Sequence, residues 1–362
     1  MTLNPKAAAA FMAQALRLAE RGRTTTQPNP RVGCVIVRDG VMIGEGFHER
    51  AGEPHAEVHA LRMAGEKARG ADVFVTLEPC CHHGRTPPCA DALIAAGVRK
   101  VWIAMQDPNP QVAGKGAAAL RAAGIEVEEG LMSAAAQQLN RGFVSRMARG
   151  RPFVTLKLAA SLDGRTAMAS GESQWITGEA ARADVHRLRA EAGAVLTSSA
   201  TVLADDPSLT VRDFETSWQP DRIVLDAQGR VPVNAKVWAN SARRVCVSAA
   251  SPELPEGVEL CRLPAQADGY PSFSDVFAAL GRLQINEVLV ECGPRLAGLL
   301  LQAQVVDECV LYLAPCLLGH EARTLAQLPD MKRLEQKLRL EWRDMRRVGD
   351  DLRLTLAPAL AA

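Results

Sequence analysis

Short apolar runs bounded by Gly, Pro and Asp alternate along this chain with longer stretches of helical period. The first stretch, Pro5–Glu20, carries a proline in its opening turn and Gly22 beyond its end, which predicts a helix. Cys34–Val37 reads as a buried strand, and Asp39-Gly40 turns it into a partner at Met42-Ile43. His55 opens a helical segment, Ala56–Arg69, closed by Gly70. Then follow a strand at Asp72–Leu77, a helix at Asp91–Ala96, a strand at Lys100–Met105, a helix at Gly114–Ala123 and a strand at Ile125–Glu128. Strands and helices alternating at this spacing predict an α/β layered fold.

A helix over Ser133–Arg149 runs into Arg-Gly-Arg-Pro, after which the pattern restarts, so two α/β domains are expected at 1–147 and 148–362. The second begins with a strand at Phe153–Leu158 and a helix at Gly178–Ala192. Further strands are predicted at Ala194–Thr197, Arg222–Asp226, Arg244–Val247, Glu287–Glu291 and Glu308–Leu313. Leu338–Leu356 reads as a closing hairpin that turns at Gly349-Asp350. The run Val288–Glu291, Gly293-Pro294, Leu296–Leu301 is strand, tight turn and helix start, a unit that can aim backbone N–H groups at a phosphate. No G-x-G-x-x-G follows a strand, so a Rossmann dinucleotide site is not indicated.

Charge narrows the partners. Lys plus Arg total 42 against 41 Asp plus Glu, which gives no field able to gather nucleic acid. No run of apolar residues is long enough to span a bilayer, and the opening residues lack a signal-peptide cleavage site. Nine scattered cysteines form no disulfide framework, so a reducing cytoplasm is expected, with no membrane partner.

The chemistry concentrates in His55-Ala56-Glu57 and in Glu78-Pro79-Cys80 through Cys89. One imidazole and two thiolates are a set that holds Zn²⁺ with a fourth position left for water. A carboxylate two residues beyond the histidine then moves the proton, as in zinc deaminases. Because residues i and i+2 diverge by about 200° on a helix, His55 and Glu57 share one ion only if His55 sits at the helix edge. Pro54 suits such an edge. Cys89, after Pro87-Pro88, falls in a helical first turn that favours a thiolate. A structural zinc knot with Cys81, His82 or His83 as fourth ligand is the competing reading, but it leaves Glu57 without a task. Arg189 and Arg212 are of the type that grips phosphate bidentately, although either alone reads more readily as a solvated surface residue. Lys157 is suited to polarising a sugar carbonyl or imine, or else to snorkelling at the surface. Trp175 fits packing on a ligand ring as well as ordinary packing.

Together these segments resemble the bifunctional riboflavin-biosynthesis deaminase/reductase family. The resemblance rests on Asn29-Pro30-Arg31-Val32-Gly33, His55-Ala56-Glu57, Glu78-Pro79-Cys80, Thr86-Pro87-Pro88-Cys89, Asp107-Pro108-Asn109-Pro110 and Gly114-Lys115-Gly116. In the second half it rests on Lys157 to Arg165, Trp175-Ile176-Thr177, Thr201 to Arg212 and Glu291-Cys292-Gly293-Pro294. Eight residues separate Cys80 from Cys89, where nucleoside and tRNA deaminases have a short gap. The resemblance implies a cytidine-deaminase-like α/β/α zinc domain followed by a dihydrofolate-reductase-like α/β domain. It also implies deamination of 2,5-diamino-6-ribosylamino-4(3H)-pyrimidinone 5′-phosphate and NADPH reduction of the ribosyl group to ribityl. His55, Cys80 and Cys89 would be zinc ligands and Glu57 the proton carrier. Ala159, Trp175, Thr201, Asp205 and the run Gly293, Pro294, Arg295, Leu296, Ala297, Gly298, Leu299 match cofactor positions. Ser173, Arg189, Leu209, Arg212 and Glu291 match substrate positions, with Lys157, Asn29 and His82 as further candidates. Where relatives often carry a cofactor-contacting serine after Asp226, this chain has Ala227. Relatives also suggest a homodimer through the second half. Three other readings remain: an RNA deaminase with a non-catalytic tail, a zinc-stabilised interaction module, and a chain whose reductase half has decayed.

Overall fold

A computed structural model describes residues 4–81, 88–110, 112–212, 214, 216, 218–239 and 242–359. The chain divides into two compact units, Met1–Gly150 and Arg151–Ala362.

Unit one contains α1 (Pro5–Glu20), β1 (Gly33–Arg38), β2 (Val41–Phe47), α2 (Ala56–Ala64), β3 (Asp72–Val75), α3 (Cys89–Ala96), β4 (Lys100–Ile103), α4 (Lys115–Ala122), β5 (Glu126–Glu129), α5 (Ser133–Leu139) and α6 (Arg141–Arg149). Its sheet runs β2-β1-β3-β4-β5. β1 is antiparallel to both neighbours, and β3, β4 and β5 are parallel. Buried Val35, Ile36, Val73, Phe74, Val101 and Ile103 from the central strands make its core with Met12, Ala15 and Leu93 from the helices. α2 lies close on β2 because Gly46 has no side chain: a Cβ there would stand 2.6 Å from the Ala56 carbonyl oxygen.

The helix expected over Ser133–Arg149 is broken at Asn140. Its side chain accepts from the Arg31 N–H at 2.8 Å and donates to the Arg31 carbonyl at 2.9 Å. An asparagine that bonds backbone elsewhere competes with the helix, and here the distant partner wins. The helix expected to reach Arg69 ends at Ala64 and tightens into a 3₁₀ turn, Gly65–Ala68, with Gly65 at a φ of 54°.

Unit two contains β6 (Phe153–Ser161), β7 (Arg165–Ala167), α7 (Glu179–Ala192), β8 (Gly193–Ser198), α8 (Ser199–Asp205), β9 (Asp221–Leu225), β10 (Arg244–Ser248), β11 (Val258–Arg262), α9 (Phe273–Arg282), β12 (Glu287–Glu291), α10 (Pro294–Gln302), β13 (Glu308–Ala314), β14 (Arg323–Thr324), β15 (Leu340–Val348) and β16 (Asp351–Pro358). The main sheet runs β11-β10-β9-β8-β12-β6-β13-β16-β15. It is parallel from β11 to β13, and β16 and β15 close it antiparallel. β7 and β14 form a separate two-stranded ribbon. In the middle strands Val154, Leu156, Leu196, Ile223, Val288 and Val290 are buried, as runs covered on both faces require. Among the described residues no helix is long and apolar enough to cross a membrane.

A candidate metal centre and a cationic cleft

In the first unit three helix edges and loops converge. His55 is the N-cap of α2, extended at φ −77° and ψ 166°, so its ring lies outside the helical face while Glu57 sits in the first turn. Cys89 opens α3, and Cys80 lies in the loop after β3. The His55 Nδ1 stands 3.2 Å from the Cys89 Sγ and 3.6 Å from the Cys80 Sγ, and the three donor atoms lie within 4.8 Å of one another. Tetrahedral zinc with ordinary Zn–N and Zn–S bonds separates N from S by about 3.5 Å and S from S by about 3.8 Å. The donor set and its spacing therefore fit zinc. The Cys89 N–H donates to the Cys80 Sγ at 3.3 Å. That sulfur is held down to about 4, first by the Cys89 thiol that donates to it and then by His55, while the thiol of Cys89 is pushed up by the same bond and by burial.

Glu57 is 3% exposed, and its Oε2 is buried with no hydrogen-bond partner among the described residues. Burial pushes its carboxyl above the usual range, and the His55 charge opposes this in part. Such a carboxylate is primed to accept a proton.

Two supports were not singled out from sequence. The Glu78 carboxylate accepts from the N–H groups of Asp107 at 3.2 Å, Gly114 at 2.9 Å and Ala117 at 3.1 Å, which ties the Cys80 loop to the start of α4. Asn29 Nδ2 meets His48 Nε2 at 3.1 Å, His48 Nδ1 meets the Pro54 carbonyl at 3.2 Å, and the two rings His48 and His55 stand edge-on at 5.3 Å. Asn29 thus reaches the centre through His48. His82 lies outside the described residues.

The second unit holds a cleft of about 910 Å³ at the carboxyl ends of β6, β8 and β12. Lys157, Ala159, Ser173, Trp175, Arg189, Thr201, Asp205, Leu209, Arg212, Glu291, Gly293, Pro294, Arg295 and Leu296 all line it. Ala297, Gly298 and Leu299 do not: Ala297 is fully buried, a Cβ on Gly298 would meet the Gln327 carbonyl oxygen at 1.9 Å, and Leu299 faces outward. Only the first turn of α10 meets the cleft.

Arg189 forks onto Glu291, Nε to Oε1 at 2.5 Å and Nη2 to Oε2 at 3.0 Å, and its Nη1 donates to the Thr210 carbonyl at 2.9 Å. Its fork is thus spent within the protein. The Arg212 guanidinium is exposed, with one long bond to Ser208 Oγ at 3.4 Å, and is the better placed for phosphate. Glu291 and Lys157 are register partners on β12 and β6, 3.9 Å apart. Burial would raise Glu291, but Arg189 and Lys157 outweigh it and hold the carboxyl at about 2. Burial pulls the Lys157 amine below its usual range. Trp175 is 67% exposed, with the Arg182 guanidinium 4.7 Å from its ring centre.

"Riboflavin biosynthesis protein RibD" of Escherichia coli (strain K12) is 56% identical over 368 residues, spanning 96% of this chain and 99% of its own length. The chain belongs to the RibD family. The family described as RibD C-terminal domain matches residues 152–354, and that described as cytidine and deoxycytidylate deaminase zinc-binding region matches residues 5–105. The first match contains every cleft residue named above, and the second contains His55, Glu57, Cys80 and Cys89. Among solved structures, Acinetobacter baumannii RibD superposes with a TM-score of 0.93 at 48% identity, covering 98% of this chain and all of its own. A diaminohydroxyphosphoribosylaminopyrimidine deaminase/5-amino-6-(5-phosphoribosylamino)uracil reductase from Thermotoga maritima does so at 0.89 and 34%, covering 98% and 99%. The two α/β units therefore have the cytidine-deaminase-like and RibD reductase folds.

Proposed function

We propose that this chain is a bifunctional enzyme of riboflavin biosynthesis. Its first unit hydrolytically deaminates 2,5-diamino-6-ribosylamino-4(3H)-pyrimidinone 5′-phosphate, and its second reduces the ribosyl side chain to ribityl with NADPH, giving 5-amino-6-(5-phospho-ribitylamino)uracil. The observation that carries the reading is the convergence of His55, Cys80 and Cys89 beside Glu57, which is buried with its Oε2 unpartnered.

In the first unit His55, Cys80 and Cys89 would hold zinc, which when bound would supply Lewis acidity to a water near neutral pH. Glu57 takes the proton of the attacking water and returns it to the departing amine. Its raised affinity for a proton serves both transfers. Glu78 fixes the Cys80 loop, and His48 packs on the His55 ring.

In the second unit NADPH supplies the hydride. The N–H groups at the start of α10 hold a cofactor phosphate, and Trp175, Thr201 and Asp205 line its path. Glu291, kept ionised by Arg189, accepts from the sugar hydroxyls, and Lys157 polarises the opened sugar at the carbon that is reduced. Arg212 takes the substrate phosphate.

The enzyme works as a cytoplasmic homodimer through the second unit on this reading. Support comes from nine free cysteines and from β15, an edge strand that exposes Trp342 and Met345. The test is zinc content, ammonia release on the pyrimidine substrate and loss of nicotinamide absorbance, measured on the full chain. Glu57→Gln should keep zinc and lose ammonia release by about 10²–10⁴-fold, while still consuming NADPH with the deaminated substrate. Undiminished ammonia release from that variant, or a wild-type chain that takes up no zinc, overturns the deaminase assignment.

A further inference from the structure

Among the cations that line the cleft, Arg323 stands on a separate ribbon. Arg323 lies on β14, whose backbone pairs with β7 in the register Arg323↔Ala167. Arg165 Nη1 donates to the Ala322 carbonyl at 3.3 Å and Thr166 Oγ1 to the Thr324 carbonyl at 3.2 Å, so the chain is tied on both sides of Arg323. Arg323 lines the cleft, and its guanidinium comes close to Gly171: a Cβ there would stand 2.9 Å from Nη2 and 3.5 Å from Cζ. Gly171 itself is held in a tight turn at a φ of 98°, with its N–H donating to the Met168 carbonyl at 2.9 Å. No described residue makes a hydrogen bond or ion pair with the Arg323 guanidinium, although Asp205 and Glu179 also line the cleft.

An arginine free in solvent sweeps many rotamers and needs no partner. Arg323 is exposed to solvent, but its guanidinium stands against Gly171 at the cleft wall and no described residue accepts from it. A planar fork of five N–H donors is matched best by a carboxylate or a phosphate. No described residue supplies a carboxylate to it, and both ligands of the proposed reductase reaction carry phosphate. We propose that Arg323 is a phosphate-binding residue of this cleft, reading a phosphate group on the ligand that occupies it. The inference rests on the reductase reading of the second unit. Substrate 5′-phosphate and cofactor 2′-phosphate are the two sources of that group.

The experiment compares full-length wild type, Arg323→Gln and Arg323→Lys, with thermal unfolding as the control for folding. Two ratios are read. The first is kcat/KM for the deaminated substrate with its phosphate over that without it; the second is calorimetric affinity for NADPH over NADH. If Arg323 reads the substrate, the first ratio falls roughly tenfold in Arg323→Gln, recovers in part in Arg323→Lys, and the second is unchanged. If it reads the cofactor, the second ratio falls instead. Both ratios unchanged in a folded Arg323→Gln overturn the inference while leaving the reductase standing. A wild-type chain that neither binds nor consumes NADPH overturns the reductase reading itself, and the inference with it.

Discussion

At the scale of single residues the two sites use burial in opposite ways. Glu57 is buried, and burial outweighs the His55 charge and its few hydrogen bonds, so its affinity for protons rises. Glu291 is buried against Arg189 and Lys157, so it stays ionised at about 2 instead of the ordinary 4.5. The first arrangement suits a group that must gain and lose a proton; the second suits a fixed anion. The depressed value also has a consequence for stability. A carboxyl whose pKa is lower folded than unfolded stabilises the fold above the unfolded value and loses that contribution as pH falls through the folded one. Unfolding of the second unit should therefore become easier as pH drops from about 4.5 toward about 2. Glu291→Gln should lower stability at pH 7, because it strands Arg189 beside a neutral amide, and should flatten that acid limb. Denaturant titrations at several pH values would show it, and an unchanged acid limb would mean that the ion pair contributes nothing. His55, Glu57, Cys80 and Cys89 stood out in the sequence because their chemistry is written in short motifs. His48 and Glu78 did not, because their partners, Asn29 and the start of α4, lie far away in the chain.

At the scale of elements, strands were legible where both faces are covered. β1, β4, β6, β8, β9, β10, β12 and β13 each coincide with an apolar run read from the sequence. β11, Val-Glu-Leu-Cys-Arg, was missed because it is an edge strand with mostly exposed side chains. α9 was missed although Ser272 caps it and accepts from the Asp275 N–H at 3.0 Å, a signal present in the sequence. The break between α5 and α6 was illegible for a physical reason: the residue that competes with the helix is Arg31, 109 positions away. Asn140 is 2% exposed and Arg31 6%, so Asn140→Ala removes two buried hydrogen bonds to the Arg31 backbone. Destabilisation of about 2–4 kcal/mol is expected, read as a lower urea midpoint of the first unit. A variant with the wild-type midpoint would show that the α5–α6 break is set by something other than this clamp.

At the scale of the molecule each unit has its own core and its own site. The zinc donors fall between residues 55 and 89, and the cleft is lined from residue 157 to residue 323. Binding to the folded state alone stabilises it by mass action, so metal strengthens the unit that holds its donors. The two sulfurs of Cys80 and Cys89 lie close together with the carboxylate of Glu57 nearby, so a cation held there offsets their mutual repulsion. Chelation of the full chain should therefore abolish ammonia release and lower the unfolding temperature of the first unit. Consumption of NADPH with the deaminated substrate should persist, since none of the cleft residues is among the donors. Zinc added back should restore both the unfolding temperature and ammonia release. The two activities supply the discriminating readout. If chelation also stops reduction of a supplied intermediate, the second site depends on metal in a way its arginine- and lysine-lined cleft gives no reason to expect. If chelation alters only stability and leaves ammonia release intact, the three-donor centre is structural, and Glu57 must be buried for some purpose other than carrying a proton.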